Sequence, residues 1–245
     1  FSAQELIVVL KTLETIFVYK VSCCIFAPEF KRIVRFHGTW KMKEKILQKA
    51  SDMFLNFGFK SVTMDDLATE MGISKKTIYS HFANKNILVK ASTDMLFQGI
   101  CCGIDHICEE HKNPIDELYS IKQFVTQHLK NEKSSPQFQL QKYYPEIYSQ
   151  MKSQQYDYMQ ECVTKNLIRG LDLGLYRENL DVEFASRIYF LGIVGIKDND
   201  MFPTDKFPMA ALMEKYLEYH LRGIVTEKGL KKLLTTIKNH QSNDQ

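Results

Sequence analysis

Thr63-Met64-Asp65-Asp66-Leu67-Ala68-Thr69-Glu70-Met71-Gly72-Ile73-Ser74-Lys75-Lys76-Thr77-Ile78-Tyr79-Ser80-His81-Phe82 is the stretch on which the fold turns. Thr63 with an acid three residues on is a helix start. The hydroxyl satisfies an orphan backbone N–H, and Asp65 and Asp66 suit the positive end of the helix. Leu67, Ala68 and Met71 give this short helix an inner face. Gly72 stops it, and Ser74 caps another helix running through Phe82. Ile78 and Phe82 are expected to point inward and hold the helices together. A short helix, a tight turn with one glycine and one buried apolar residue, then a second helix is the helix-turn-helix pattern.

Working upstream, Ile46, Leu47, Ala50, Met53, Phe54 and Phe57 form one apolar stripe of a helix that starts near Lys43. Gly58 is placed to end it in a left-handed cap. Downstream, the periodicity predicts a long helix from Lys85 to Glu110. Further helices are predicted over Ile115–Lys130, Gln137–Met151, Gln154–Leu173, Val182–Ile196, Met209–Ile224 and Glu227–His240. Neither two-residue alternation nor hairpin dipeptides stand out, so the fold class is all-α. The expected organisation is a three-helix helix-turn-helix domain over 42–88 and a larger helical domain over 89–240. Residues 1–41 read as an N-terminal extension. The first methionine, Met42, coincides with the start of the clear helical pattern, which suggests that the extension lies outside the native functional protein. A packed helix carrying Leu6, Val9, Leu10, Leu13 and Phe17 is the equal alternative.

The bulk composition sets limits. With 245 residues and 44 % hydrophobic content the chain can bury a core. Its formal net charge is only +3, so any nucleic-acid surface must come from local clustering. Cys23, Cys24, Cys101, Cys102, Cys108 and Cys162 have no framework spacing and read as reduced thiols, consistent with a cytoplasmic protein. No uninterrupted apolar run approaches the ~18 residues that span a bilayer, so no membrane partner is expected.

Between Ser74 and Lys90 stand Lys75, Lys76, Lys85 and Lys90 and no carboxylate. On a capped helix-turn-helix that excess points to the phosphates of duplex DNA. A lysine run alone is usually a solvated face; the caps, the glycine turn and the aromatic positions favour DNA here. Lys75, Lys76 and Thr77 sit at the helix end that enters a major groove, with Lys76 and Thr77 the candidates for base edges. Thr63, at its own helix N-terminus, is a candidate phosphate contact.

Met42 to Ile87 resembles the TetR family of bacterial regulators. The likeness rests on Ile46-Leu47, Ala50, Phe54, Gly58-Phe59, Thr63 to Ala68, Met71 to Ser74, Thr77-Ile78-Tyr79, His81-Phe82 and Asn84-Lys85. Beyond Ile87 the chain resembles the family only in helix number and length. The resemblance implies a homodimer, a palindromic duplex operator, and release of DNA when a small-molecule effector binds. By the same likeness Tyr79, His81 and Lys85 are expected at phosphates.

Other candidate residues follow from pattern. Phe184, Ile188, Leu191, Leu212 and Tyr216 fall on stripes of the last long helices, and Gly192 and Gly195 would allow close helix approach; these are the expected dimer interface. Tyr143, Tyr144, Tyr156 and Met159, with Cys102 and His128, are the candidates to line a mostly apolar effector pocket, although aromatics at helical spacing are more often core. Cys101, Cys102, Asp105, His106, Cys108 and His111 crowd one helix, but no Cys-x-x-Cys is present, and thiols filling a helix interface are the simpler reading than a metal site. No nucleophile–base pair or phosphate loop supports an enzyme, and no cofactor is expected. The alternative reading is an all-helical small-molecule binding protein or enzyme without DNA binding.

Overall fold

The computed structural model describes residues 41–110, 112–129, 136–198, 200–203 and 205–243. Among these are ten helices. They are α1 Met42–Phe57, α2 Met64–Met71, α3 Lys75–His81, α4 Lys85–Glu109, α5 Pro114–Leu129, α6 Pro136–Tyr143, α7 Pro145–Asp172, α8 Val182–Gly195, α9 Met209–Ile224 and α10 Glu227–Asn243. The architecture is all-α; an isolated antiparallel bridge pairs Tyr176 with Val225. The expected extension, up to residue 40, lies outside the described residues.

One expected boundary is corrected. Instead of a break near residue 152, the chain breaks at Tyr144 and then runs as one helix from Pro145 to Asp172. Pro145 has no N–H and crowds the preceding turn, so it ends α6 and opens α7 at the position where no N–H is needed. Lys152-Ser153-Gln154 contains neither glycine nor proline to interrupt the helix.

The described residues divide into two compact units, those within 41–105 and 129–152, and those within 106–128 and 153–243. The first unit thus extends past the expected limit at residue 88 and includes α6. Its core is Ile46, Ala50, Phe54, Phe59, Leu67, Ile78, Phe82, Leu88, Val89 and Leu140, all nearly inaccessible. Each of the larger of these side chains contributes roughly 1.5–3 kcal/mol by leaving water. Phe54 and Phe59 stack at 5.1 Å across the end of α1.

Gly58 has φ +90° and ψ 149°, not the left-handed helical cap expected. Its Cα faces the Gln139 amide so closely that a Cβ would lie 2.4 Å from Nε2. The Lys60 N–H donates to Gln139 Oε1 at 3.2 Å, and the Tyr144 hydroxyl donates to the Phe59 carbonyl at 3.4 Å. The loop between α1 and α2 is therefore held by α6 and the residue that follows it.

The second unit has its own core, centred on Ile115, Tyr119, Leu167, Tyr176, Leu217, Leu221 and Leu233. Running through it is a buried polar network. Asn166 donates to the Pro114 carbonyl and to Glu117, Tyr176 donates to Asn166, and Arg169 pairs with Glu117. Glu117 is 2 % exposed, so those partners are what make its burial tolerable.

α4 is the one described helix long and apolar enough to cross a membrane by length and composition, even though Lys and Asp interrupt its apolar residues. Leu88, Val89, Ser92, Thr93, Gly99 and Ile104 on it are buried within the protein.

Candidate nucleic-acid interface

Each short helix is closed by the cap its sequence proposes. Thr63 Oγ1 accepts from the Asp66 N–H at 3.1 Å, while the Thr63 N–H and hydroxyl both donate to Asp66 Oδ2 at 2.8 Å. Those bonds, the backbone one first, hold the Asp66 carboxyl below its ordinary pKa. Gly72 ends α2 in the left-handed conformation, φ +63° and ψ 32°. Ser74 Oγ accepts from the Thr77 N–H at 3.1 Å, and the Ser74 and Thr77 hydroxyls share a further bond of 2.9 Å. Asn84 caps α4 by accepting from the Ile87 N–H at 2.9 Å. That cap was legible as an Asn at a helix start, yet sequence reasoning passed over it.

Ile78 and Phe82 are buried as expected, which turns the remaining face of α3 outward. Lys75, Lys76, Tyr79, Ser80 and His81 are exposed on it, and Thr77 is half-buried. Exposure alone does not decide which cations are available. Lys75 pairs with Asp65, and Lys90 pairs with Asp94 at 2.8 Å. Lys85 is half-buried and donates to the Lys60 carbonyl at 3.0 Å. Burial lowers its pKa, and the nearby Asp66 charge opposes that. The lysine cluster that is free of acids along the sequence therefore meets acids in space. Lys76 alone of those four has neither a carboxylate nor a carbonyl partner among the described residues.

The residues proposed for an effector do not gather within either unit. Cys102, Tyr143 and Tyr144 belong to the first unit. There Tyr144 meets Phe59 edge-on at 6.5 Å, and Lys60 lies 4.6 Å over the Tyr143 ring. Tyr156 and Met159 belong to the second. Arg187 donates to the Tyr156 hydroxyl at 2.7 Å, and Met159 packs on the second core. His128 lies in α5, but its side chain is outside the described residues. Of the crowded cysteine–histidine helix, Cys101, Cys102 and Cys108 are half-buried thiols. Among the described residues no three metal-ligating side chains converge, and His111 lies outside them.

An open cleft of about 410 Å³ lies between α5 and α10. It is polar, and its Asp116 is already engaged by Lys232 at 2.5 Å and Thr236 at 2.6 Å.

On α8, Phe184, Ile188 and Leu191 are exposed, the first and last by 64 % and 61 %, and a Cβ at Gly195 would meet open space. Gly192 instead admits the Tyr216 ring of the same chain, whose hydroxyl donates to the Ile188 and Tyr189 carbonyls at 3.0 and 2.9 Å. Leu212 is buried in the chain's own core. Tyr219, 79 % exposed on α9, was not anticipated.

Two capped short helices joined by a glycine turn and anchored on α1 make this an all-α protein with a helix-turn-helix domain. Residues 46–92 match the bacterial regulatory proteins of the tetR family. It is 31 % identical over 80 residues to IcaR of Staphylococcus epidermidis, the HTH-type negative transcriptional regulator of the biofilm operon icaADBC. That alignment covers 33 % of this chain and 40 % of IcaR, so the chain spans about two fifths of the length of this curated relative. In fold it is similar to a transcriptional regulator from Cytophaga hutchinsonii, with a TM-score of 0.65 and 17 % identity over 75 % of this chain and 98 % of that one. It is also similar to SmeT, the repressor of the Stenotrophomonas maltophilia multidrug efflux pump SmeDEF. There the TM-score is 0.60 and identity 18 % over 77 % and 92 % of the two chains, and SmeT also has a solved triclosan complex.

Proposed function

We propose that this protein is a transcriptional repressor that binds a palindromic duplex operator as a homodimer and leaves it when a small, mostly apolar effector binds. The observation that carries the DNA reading is the outward face of α3. It presents Lys76, Tyr79 and His81 to solvent, while Ile78 and Phe82 fix the helix from below. Lys76 and Thr77 stand at the end that enters a major groove and read base edges. Tyr79, His81, Ser74 and Thr63 contact phosphates and set the register. Lys75 reaches DNA only by leaving Asp65, and Lys85 acts by holding the loop before α2.

The homodimer forms through Phe184, Ile188, Leu191 and Gly195, whose exposed apolar stripe on α8 is unsatisfied in one chain. Gly192, Leu212 and Tyr216 support that surface from within. C₂ symmetry then matches a palindrome. The effector reading is supported by the likeness to SmeT and its triclosan complex. The cytoplasm is where such a protein meets its operator. Selection of duplexes from a random pool with the full chain tests the proposal. Recovery of a palindromic consensus supports it. Recovery of no consensus refutes it and favours the all-helical binding protein.

A further inference from the structure

The lysines without a carboxylate or carbonyl partner point to a contact outside α2 and α3. In the helix-turn-helix region Lys49 is paired with Glu70, Lys75 with Asp65 and Lys90 with Asp94, and Lys85 is spent on a carbonyl. At the start of α1, Lys41, Lys43 and Lys45 are all exposed. The one acid of that turn, Glu44, is occupied by the Lys41 N–H at 3.0 Å. Among the described residues no carboxylate pairs with any of the three lysines.

Lys43 differs from its neighbours in where it is held. Its ammonium lies 5.8 Å from the centroid of the Phe82 ring. Phe82 is buried and is the residue that ends α3. An aromatic face attracts a cation without neutralising it. Phe82 thus positions a full positive charge beside the C-terminal end of α3, while Lys76 lies at its N-terminal end. The seven residues of α3 rise roughly 10 Å at 1.5 Å each. A major groove is about 12 Å wide between its phosphate walls. With the N-terminal end of α3 and Lys76 directed at base edges, a charge held beside the C-terminal end falls within reach of the phosphates that line the groove.

We infer that Lys43, held against Phe82, is a phosphate-contacting residue that steadies the recognition helix at the end opposite Lys76. The assignment rests on the DNA-binding reading above and extends the interface to α1. The contact is to the backbone, so it adds affinity without sequence information.

The test uses the full chain and the duplex recovered by selection. Affinity is measured across a salt series for wild type, Lys43→Ala, Lys43→Arg and Lys45→Ala. Lys45 is two residues away and faces elsewhere on the helix. Loss of one phosphate contact flattens the logarithmic salt slope by about 0.9 and costs roughly five- to tenfold at about 0.1 M salt. Lys43→Ala is expected to show both, by the same factor on the selected and on an unrelated duplex. Lys43→Arg should restore the slope, and Lys45→Ala should keep it. Wild-type affinity and slope in Lys43→Ala would overturn the assignment while leaving the DNA reading intact. Equal loss in Lys45→Ala would also overturn it, by showing only bulk charge at work. Failure of wild type to bind any duplex would sink the DNA reading and this contact with it.

Discussion

Two side chains show how far a residue's surroundings set its role. Lys85 looks on paper like another phosphate ligand, but its ammonium is half-buried against the Lys60 carbonyl. Lys85→Ala is therefore expected to lower the melting temperature and weaken DNA binding through a displaced loop, with the salt slope unchanged. Lys76→Ala should instead reduce the preference for the selected duplex over an unrelated one, with little effect on melting. A flattened slope with unchanged melting in Lys85→Ala would return Lys85 to the phosphates. His220 is buried beside Tyr189, at 4.9 Å between rings, and burial pulls its pKa from 6.5 to about 4. The folded protein thus keeps the imidazole neutral. Between those values the unfolded chain takes up a proton that the folded chain refuses. The stability His220 contributes is full above pH 6.5 and is lost as the pH falls toward about 4. Its size is up to about 3 kcal/mol. Urea melts at neutral and mildly acidic pH should show this fall, and His220→Phe should remove most of it. An identical pH dependence in that variant would show that other groups carry it.

At the scale of elements, most of what the sequence announces is local. Thr63, Gly72 and Ser74 state where α2 and α3 start and stop, because a cap is decided within three or four residues. The stripes of α1 and α9 are equally plain. What escapes is contact at long range. Nothing near Lys60 signals that Gln139, far along the chain, will accept its N–H, and nothing near Asp65 signals that it will neutralise Lys75. The site was legible as a face, then, but not as a list of available charges. The pairing of the α1–α2 loop with α6 makes a sharp prediction. Gly58→Ala meets both a backbone conformation closed to L residues and the Gln139 amide. It should cost about 2 kcal/mol or more in a chemical melt. Gly72→Ala meets open space and only the left-handed penalty, and should cost about 1 kcal/mol. Equal costs would mean that Gln139 simply swings away and does not hold the loop.

For the whole molecule, the question is what the exposed apolar stripe of α8 covers. Phe184, Ile188 and Leu191 lie outside the chain's own core, so charging one should leave the fold intact. Leu191→Glu is expected to convert a dimer to a monomer in sedimentation while helical content stays constant. A dimer that persists in Leu191→Glu and Phe184→Glu alike would place the interface elsewhere. Loss of the dimer should also weaken operator binding, because two half-sites are then engaged by separate molecules. The central claim is that α3 reads duplex DNA, and its most direct test is operator affinity across a salt series for wild type and Lys76→Ala/Thr77→Ala. The account predicts tight, salt-sensitive binding of the selected duplex by wild type, and loss of the preference over unrelated duplex in the double variant. A double variant that discriminates the two duplexes as wild type does would contradict it.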